Sequence, residues 1–217
     1  MTMNFKYAVF DLDGTLLDTQ KYWDRIEREV LGRRFCIDMF NDENGNYIPF
    51  NGLRAMFELA TKKTGKVISL EEVLDELYAE MSKVYMYAEI DTMPRALDFL
   101  KALKSEGIKT ALATATKISV CRPALERTGL LPYLDELVCT DDVGKNKYHP
   151  DVFDRAMSLI GGNKDETMVF EDALYAANTL KANGFRYTII EEAGSLCCAD
   201  ELKDGCENYI KSYEELL

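Results

Sequence analysis

Short apolar segments alternate with helical segments along most of the chain, and this alternation restricts the fold more than any other feature. The apolar segments are KYAVF at 6–10, IKTALAT at 108–114, ELVCT at 136–140, TMVFE at 167–171 and RYTII at 186–190. Helical periodicity occurs at 94–105, 120–128, 151–160 and 173–183, each followed closely by a glycine that ends a helix. Because neighbouring parallel strands require a crossover connection, this pattern predicts an α/β fold with an open parallel sheet.

The region from about residue 20 to 90 interrupts this alternation. It contains KYWDRIEREVL, LRAMFELATKK and SLEEVLDELYAEMSKVY, which are all helical in period. Ser69 and Glu72 form a Ser-x-x-Glu capping box at the start of the last of these helices. We therefore predict an α/β core formed by residues 1–18 and 90–217, with a small helical domain inserted at 19–89.

The acidic composition restricts the possible partners. A formal net charge of −12 over 217 residues repels polyanions, so we expect no nucleic acid and no membrane as a partner. The apolar run after Lys6 is too short for a signal peptide, and no stretch approaches the roughly 18 apolar residues of a membrane span. Six cysteines without a Cys-x-x-Cys pair are typical of reduced thiols. We predict a cytoplasmic protein, whose oligomeric state the sequence does not indicate.

Two aspartates follow the first predicted strand. In an open α/β sheet, ligands bind beyond the carboxyl ends of the strands, and Asp11 lies at such an end. Asp11 and Asp13 would point to the same side of an extended backbone with Cα atoms about 6.6 Å apart, so one small group could contact both. Gly14 permits a tight turn directly afterwards. Since two nearby carboxylates repel each other, the arrangement implies Mg²⁺, a proton, or both.

Four segments in the same order resemble the motifs of the haloacid dehalogenase superfamily. DLDGTLLD at 11–18 is similar to its first motif, and ALAT, ending at Thr114, is similar to its second. KYHPD at 147–151 resembles the third, and VFED, ending at Asp172, resembles the acidic fourth. The resemblance covers nearly the whole chain. It implies a Rossmann-like core, with the helical insertion as a cap domain between the first and second motifs.

The resemblance also implies catalytic roles. Asp11 would be the nucleophile that forms an aspartyl-phosphate, and Asp13 would protonate the leaving oxygen and later deprotonate water. Thr114 and Lys147 would stabilise the phosphoryl oxygens. Lys145 is an alternative for the lysine role, but the spacing to the following Pro-Asp pair favours Lys147.

The same resemblance implies a metal and a substrate site. Mg²⁺ would be held by the Asp11 carboxylate, the backbone carbonyl of Asp13 and Asp172, with Glu171 acting through water. Two further residues, Thr116 and Lys117, occupy positions that bind substrate phosphate in the β-phosphoglucomutase branch. The implied activity is Mg²⁺-dependent hydrolysis of a small phosphorylated metabolite, with a sugar phosphate as one candidate.

Two alternatives remain at this stage. A phosphosugar mutase similar to β-phosphoglucomutase is the first, although that branch has a cap histidine where this chain has Trp23, whose side chain cannot relay a proton. A non-catalytic binding protein of the same fold is the second. The presence of all the motif residues makes this second alternative the weaker one.

Overall fold

The computed structural model describes residues 4–48 and 53–217, which divide into two compact units. One unit comprises the chain up to Thr19 together with Glu89–Leu217, and the other is Gln20–Ala88. In the described part of the chain, the first unit holds a six-stranded parallel sheet. The predicted α/β fold with an open parallel sheet is therefore confirmed. None of the helices described here has the length and apolar character needed to cross a membrane, and the cytoplasmic location stays a prediction.

The sheet has the strand order β3-β2-β1-β4-β5-β6, with all neighbours parallel. The strands are β1 (Tyr7–Phe10), β2 (Lys109–Thr114), β3 (Glu136–Cys139), β4 (Thr167–Glu171), β5 (Arg186–Ile190) and β6 (Asn208–Ile210). The first five coincide with the five apolar segments of the sequence. Strand β6 was not predicted, because its three residues form only an edge strand and carry no apolar run.

Helices connect the strands and also form the second unit. They are α1 (Gln20–Phe35), α2 (Leu53–Thr64), α3 (Leu70–Tyr87), α4 (Ala96–Ser105), α5 (Ile118–Arg127), α6 (Asp151–Leu159), α7 (Leu174–Ala182) and α8 (Ala199–Lys203). Ser69 caps α3, because its hydroxyl accepts the backbone N–H of Glu72 at 3.5 Å.

The two faces of the sheet are packed differently. On one face, the Phe10 and Phe170 rings stack with centroids 4.5 Å apart, and the Phe99 and Tyr213 rings stack at 5.0 Å. On the other face, Val9 belongs to a mainly aliphatic cluster that includes residues of α6 and α7. From Ala8 to Phe10, β1 is thus buried on both faces, which explains why its sequence is apolar without alternation.

The direction of the strand order reverses next to β1. From β1 the chain continues to β2 and β3 on one side, and then β4, β5 and β6 extend the sheet on the other side. Connections leave β1 and β4 toward opposite sides of the sheet, which opens a crevice at their carboxyl ends. Asp11 directly follows β1 at this point, and its N–H donates to the carbonyl of Phe170 at 2.9 Å.

The second unit contains a buried arginine that organises a long connection. The Arg28 guanidinium donates to the carbonyl oxygens of Met39 at 2.7 Å and Ile48 at 2.9 Å, and it forms an ion pair with Asp24 at 2.5 Å. Its position over the Tyr47 ring, 4.8 Å from the centroid, adds a cation–π contact. One buried side chain therefore fixes both ends of the segment between Met39 and Ile48.

Candidate active site

The loop after β1 turns sharply and brings its backbone back on itself. Gly14 has a φ of 88°, which lies in the left-handed region, and its N–H donates to the carbonyl of Leu17 at 2.8 Å. The Leu12 carbonyl accepts the N–H groups of Leu16 and Leu17, both at 2.9 Å. A residue with a Cβ would be strained at Gly14, so the glycine explains how Asp11 and Asp13 come to flank one tight turn.

A buried lysine connects the end of β1 with the end of β4. The Lys147 ammonium group contacts the Asp11 carboxylate and donates to Glu171 Oε1 at 2.7 Å, and its side chain is only 1% exposed. Burial alone lowers the pKa of Lys147, but the charges of Asp11 and Glu171 outweigh burial and hold that pKa above its ordinary value. Lys145 lies elsewhere, in an exposed ion pair with Asp151 at 2.9 Å. Of the two lysines that the sequence suggested, Lys147 is the one beside Asp11.

Three carboxylates converge at the end of the sheet. Asp11, Glu171 and Asp172 each offer an oxygen atom, and these atoms lie within 4.8 Å of one another. All three residues are buried. Burial, and then the repulsion from Glu171 and Asp13, raises the pKa of Asp11 to about 7 despite the attraction of Lys147. Burial and the charges of Glu171 and Asp11 likewise raise the pKa of Asp172 well above its usual range.

This set of donors fits a hard divalent cation. Among the described residues, these three buried carboxylates share the ammonium group of Lys147, so ionisation of all three would leave negative charge unbalanced in a region that excludes water. Carboxylate oxygens are the ligands that Mg²⁺ prefers in proteins. Of the predicted metal residues, Asp11, Asp172 and Glu171 are gathered here, while Asp13 contributes no side-chain oxygen to the cluster. The binding of the ion by the Asp13 backbone carbonyl stays a prediction.

Glu171 and Asp172 are held in place by neighbouring donors. The second oxygen of Glu171 accepts the backbone N–H groups of Asp172 and Ala173, both at 2.9 Å. The Thr15 hydroxyl donates to Asp172 Oδ1 at 3.0 Å. Thr15 lies inside the first motif, but no local pattern predicts its contact with Asp172, because the two residues are 157 positions apart along the chain.

Two threonine hydroxyls orient the Asp13 carboxylate. Thr19 donates to Asp13 Oδ1 at 2.6 Å, and Thr116 donates to Asp13 Oδ2 at 2.9 Å. The Thr116 N–H in turn donates to the Thr114 hydroxyl at 3.0 Å. The sequence predicted Thr116 as a substrate-binding residue, but here its hydroxyl is engaged with Asp13. The sequence does not indicate this contact of Thr19, because a threonine just before a helix is typical of an N-cap residue.

The other predicted substrate residue, Lys117, has an exposed side chain. Lys117 forms an ion pair with Asp141 at 3.3 Å, and both side chains are about half exposed. The structure therefore gathers Asp11, Lys147, Glu171 and Asp172 in one buried group. Thr114, Thr116 and Asp13 form a hydrogen-bonded chain, and Lys117 lies at the surface.

A residue close to the carboxyl terminus supports the loop after β1. The Tyr213 hydroxyl donates to the backbone carbonyl of Thr15 at 3.1 Å. Tyr213 is fully buried, and burial, with the charges of Asp11 and Asp172, raises the pKa of its hydroxyl well above its usual range. No local pattern in the sequence connects Tyr213 with the amino-terminal motif, since 198 residues separate the two partners.

Several known proteins are similar to this chain. A family model described as haloacid dehalogenase-like hydrolase matches residues 8–190. The phosphorylated carbohydrates phosphatase of Thermotoga maritima is 28% identical, over 82% of this chain and 81% of its own. The validoxylamine A 7'-phosphate phosphatase of Streptomyces hygroscopicus subsp. limoneus is 27% identical, over 91% of this chain and 92% of its own.

A solved structure extends the likeness to the whole fold. The crystal structure of CbbY from Rhodobacter sphaeroides in complex with phosphate covers 98% of this chain and 96% of its own. Its TM-score is 0.76 and its sequence identity is 20%, so the comparison concerns the fold alone. The family model, by contrast, spans most of the chain and includes each strand end that carries a carboxylate of the cluster. This chain belongs to the haloacid dehalogenase-like hydrolase family.

Proposed function

We propose that the protein is a Mg²⁺-dependent phosphatase that hydrolyses a small phosphorylated metabolite through an aspartyl-phosphate on Asp11. The observation that carries this proposal is the buried contact of Lys147 with Asp11 and Glu171, beside the further carboxylate of Asp172. The similar proteins whose names describe phosphatases support the same reaction class. A sugar phosphate is one candidate substrate.

Asp11 is the proposed nucleophile. A carboxylate oxygen of Asp11 attacks phosphorus, the bond from phosphorus to the ester oxygen breaks, and Asp13 gives its proton to the leaving oxygen. Water then attacks the aspartyl-phosphate while Asp13 takes its proton, which releases phosphate and restores Asp11. The hydrogen bonds from Thr19 and Thr116 fix the orientation of the Asp13 carboxylate for both proton transfers.

Lys147 and Thr114 are proposed to stabilise the phosphoryl group. Phosphoryl transfer depends mainly on charge placed against the equatorial oxygens, and the Lys147 ammonium is already beside the attacking oxygen. The Thr114 hydroxyl accepts the N–H of Thr116, so its own proton can be donated to a phosphoryl oxygen. One buried lysine therefore serves both the nucleophile and the transferred group.

The carboxylate cluster is proposed to hold Mg²⁺. Asp11 and Asp172 would bind the ion through their carboxylates and Asp13 through its carbonyl, with Glu171 acting through water. When bound, the ion neutralises charge on the phosphoryl oxygens and lets the anionic substrate approach the carboxylates. The helical unit at 20–88 is proposed to be the cap that the sequence predicts between the first and second motifs.

The test is release of inorganic phosphate from a panel of sugar phosphates, nucleotides and other small phosphomonoesters, with Mg²⁺ and with a chelator. We expect release only with the metal, and a loss of at least 100-fold in Asp11→Asn. Asp165→Asn is the matched control, because Asp165 is an exposed aspartate outside the site. Full activity of Asp11→Asn, or activity unaffected by the chelator, would contradict the proposal.

The phosphorylated intermediate has a separate test. With p-nitrophenyl phosphate, whose leaving group needs little protonation, Asp13→Asn should form the aspartyl-phosphate but fail to activate water. The phosphorylated protein should then accumulate and lose its phosphate on treatment with hydroxylamine. Interconversion of two sugar monophosphates primed by a bisphosphate, without net phosphate release, would instead identify a mutase. Tight ligand binding without turnover would identify a binding protein.

A further inference from the structure

Two tyrosine rings lie against each other beside the carboxylate cluster. Tyr148 directly follows Lys147, and Tyr175 lies near the start of α7, three residues after Asp172. Their ring centroids are 5.0 Å apart, with 31° between the ring planes. Tyr148 is 66% exposed and Tyr175 is 38% exposed. The two rings thus form a small aromatic surface, which we call the tyrosine pair.

The chain connects both members of the tyrosine pair directly to the reacting groups. The residue before Tyr148 is Lys147, which contacts Asp11. Tyr175 follows Asp172 by three residues, in the first turn of α7. The ring contact therefore joins the segment after the lysine to the segment after the carboxylates, and both side chains remain accessible to another molecule.

The two lysines of the loop that carries Tyr148 are both paired with carboxylates. Lys145, on the same loop, is held by Asp151 at 2.9 Å. Lys147 is already committed to Asp11 and Glu171. A second phosphate or a carboxylate on the substrate would lose hydration against the aromatic carbon of the two rings. The pair is better suited to an uncharged group with a flat face.

We propose that the tyrosine pair contacts the leaving group of the substrate and selects phosphomonoesters whose leaving group contains a ring. This inference rests on the proposed phosphatase activity and narrows its substrate class. The C–H face of a sugar ring or the face of an aromatic ring can lie flat on a tyrosine, whereas a short open chain covers much less of it. Inorganic pyrophosphate and two-carbon phosphorylated acids are therefore disfavoured.

The central variant is Tyr148→Ala, because Tyr148 is largely exposed and its truncation leaves the buried cluster intact. Tyr148→Phe keeps the ring and serves as the conservative variant. Leu159→Ala is the matched control, since Leu159 is also an exposed large hydrophobic residue but ends α6, which leads into the opposite end of the sheet from the cluster. The probes are glucose 6-phosphate, ribose 5-phosphate and p-nitrophenyl phosphate with rings, and glycerol 3-phosphate, phosphoglycolate and pyrophosphate without.

We expect the wild-type protein to favour the ring-bearing probes, and Tyr148→Ala to lower kcat/KM for them by about tenfold through KM. Activity toward the ringless probes should change less than twofold, and Tyr148→Phe and Leu159→Ala should behave like the wild type. If Tyr148→Ala lowered kcat/KM equally for the ring-bearing and the ringless probes, or for neither, the inference would be refuted. The proposed phosphatase activity would not be affected by that result. If the wild-type protein released phosphate from none of the probes in a metal-dependent manner, the result would contradict the proposed function. The inference about the tyrosine pair would then be refuted as well.

Discussion

Glu27 should make the stability of the helical unit depend on pH. It lies in α1, where its Oε2 atom is buried and has no hydrogen-bond partner among residues 4–48 and 53–217. Burial, and then repulsion from Asp24, raises the pKa of Glu27 to about 8 from an ordinary value of 4.5, while Arg28 acts in the opposite direction. The folded protein therefore binds the Glu27 proton more tightly than the unfolded chain does.

The sign and size of the effect follow from linkage. Well below pH 4.5 the Glu27 carboxyl is protonated in both the folded and the unfolded state, so it does not change the free energy of unfolding. As the pH rises toward 8, the unfolded chain loses the proton first, so the free energy of unfolding falls. Each pKa unit corresponds to about 1.4 kcal/mol, which gives an upper limit of ~5 kcal/mol for Glu27 above pH 8. Water entry and side-chain rearrangement on ionisation reduce the expected loss to ~1–3 kcal/mol.

The perturbation is Glu27→Gln, which replaces the carboxyl by a neutral group of the same shape. The assay is urea unfolding at pH 5, 6.5 and 8, followed by the fluorescence of Trp23, the single tryptophan, which lies one turn before Glu27 in α1. We expect a difference below about 1 kcal/mol at pH 5, where the unfolded carboxyl has only begun to ionise, and an advantage for the variant that grows to ~1–3 kcal/mol at pH 8. Glu29→Gln, an exposed change on the same helix, should alter stability by less than about 0.5 kcal/mol.

Differences between wild type and variant isolate Glu27, because the other titrating groups of the protein are common to both. A difference that stays constant from pH 5 to pH 8 would refute the reasoning, since it would mean that Glu27 ionises equally well in the folded and unfolded states. A variant that is less stable at pH 8 would also refute it. That result would show that the charged carboxylate is stabilised in the folded state.

Two further predictions concern the polar contacts of each unit. Thr116→Val removes the hydroxyl that donates to Asp13. In steady-state assays, kcat should therefore fall about tenfold while KM stays nearly unchanged. A raised KM with constant kcat would instead indicate that Thr116 binds the substrate. Arg28→Met leaves the carbonyl oxygens of Met39 and Ile48 without their donor. It should lower stability by ~2–4 kcal/mol and speed proteolysis of the segment between them; unchanged cleavage in mass spectrometry would contradict this.

The sequence by itself determined the fold class and the ends of the strands. The five apolar segments correspond to β1 to β5 of the parallel sheet. A strand that is buried on both faces must be apolar along its length, so its position is visible in the sequence. A parallel sheet aligns the carboxyl ends of its strands, so Asp11 and Glu171 had to approach each other once β1 and β4 became neighbours. The position of Asp11 at a strand end follows from the apolar pattern, whereas the roles expected for Glu171 and Asp172 came from the family resemblance.

Only the tertiary structure decided how those residues are supported. The donation from Thr116 to Asp13, the support of Thr15 by Tyr213 and the pairing of Tyr148 with Tyr175 join segments that lie far apart in the chain. Strand β6 likewise depends on the edge of β5 rather than on its own three residues. Such contacts depend on the packing of whole elements, and the same threonines and tyrosines would be ordinary caps or surface residues elsewhere. Periodicity and motifs act over a few residues, whereas hydrogen bonds and ring contacts across the fold exist only once the backbone has brought their partners together.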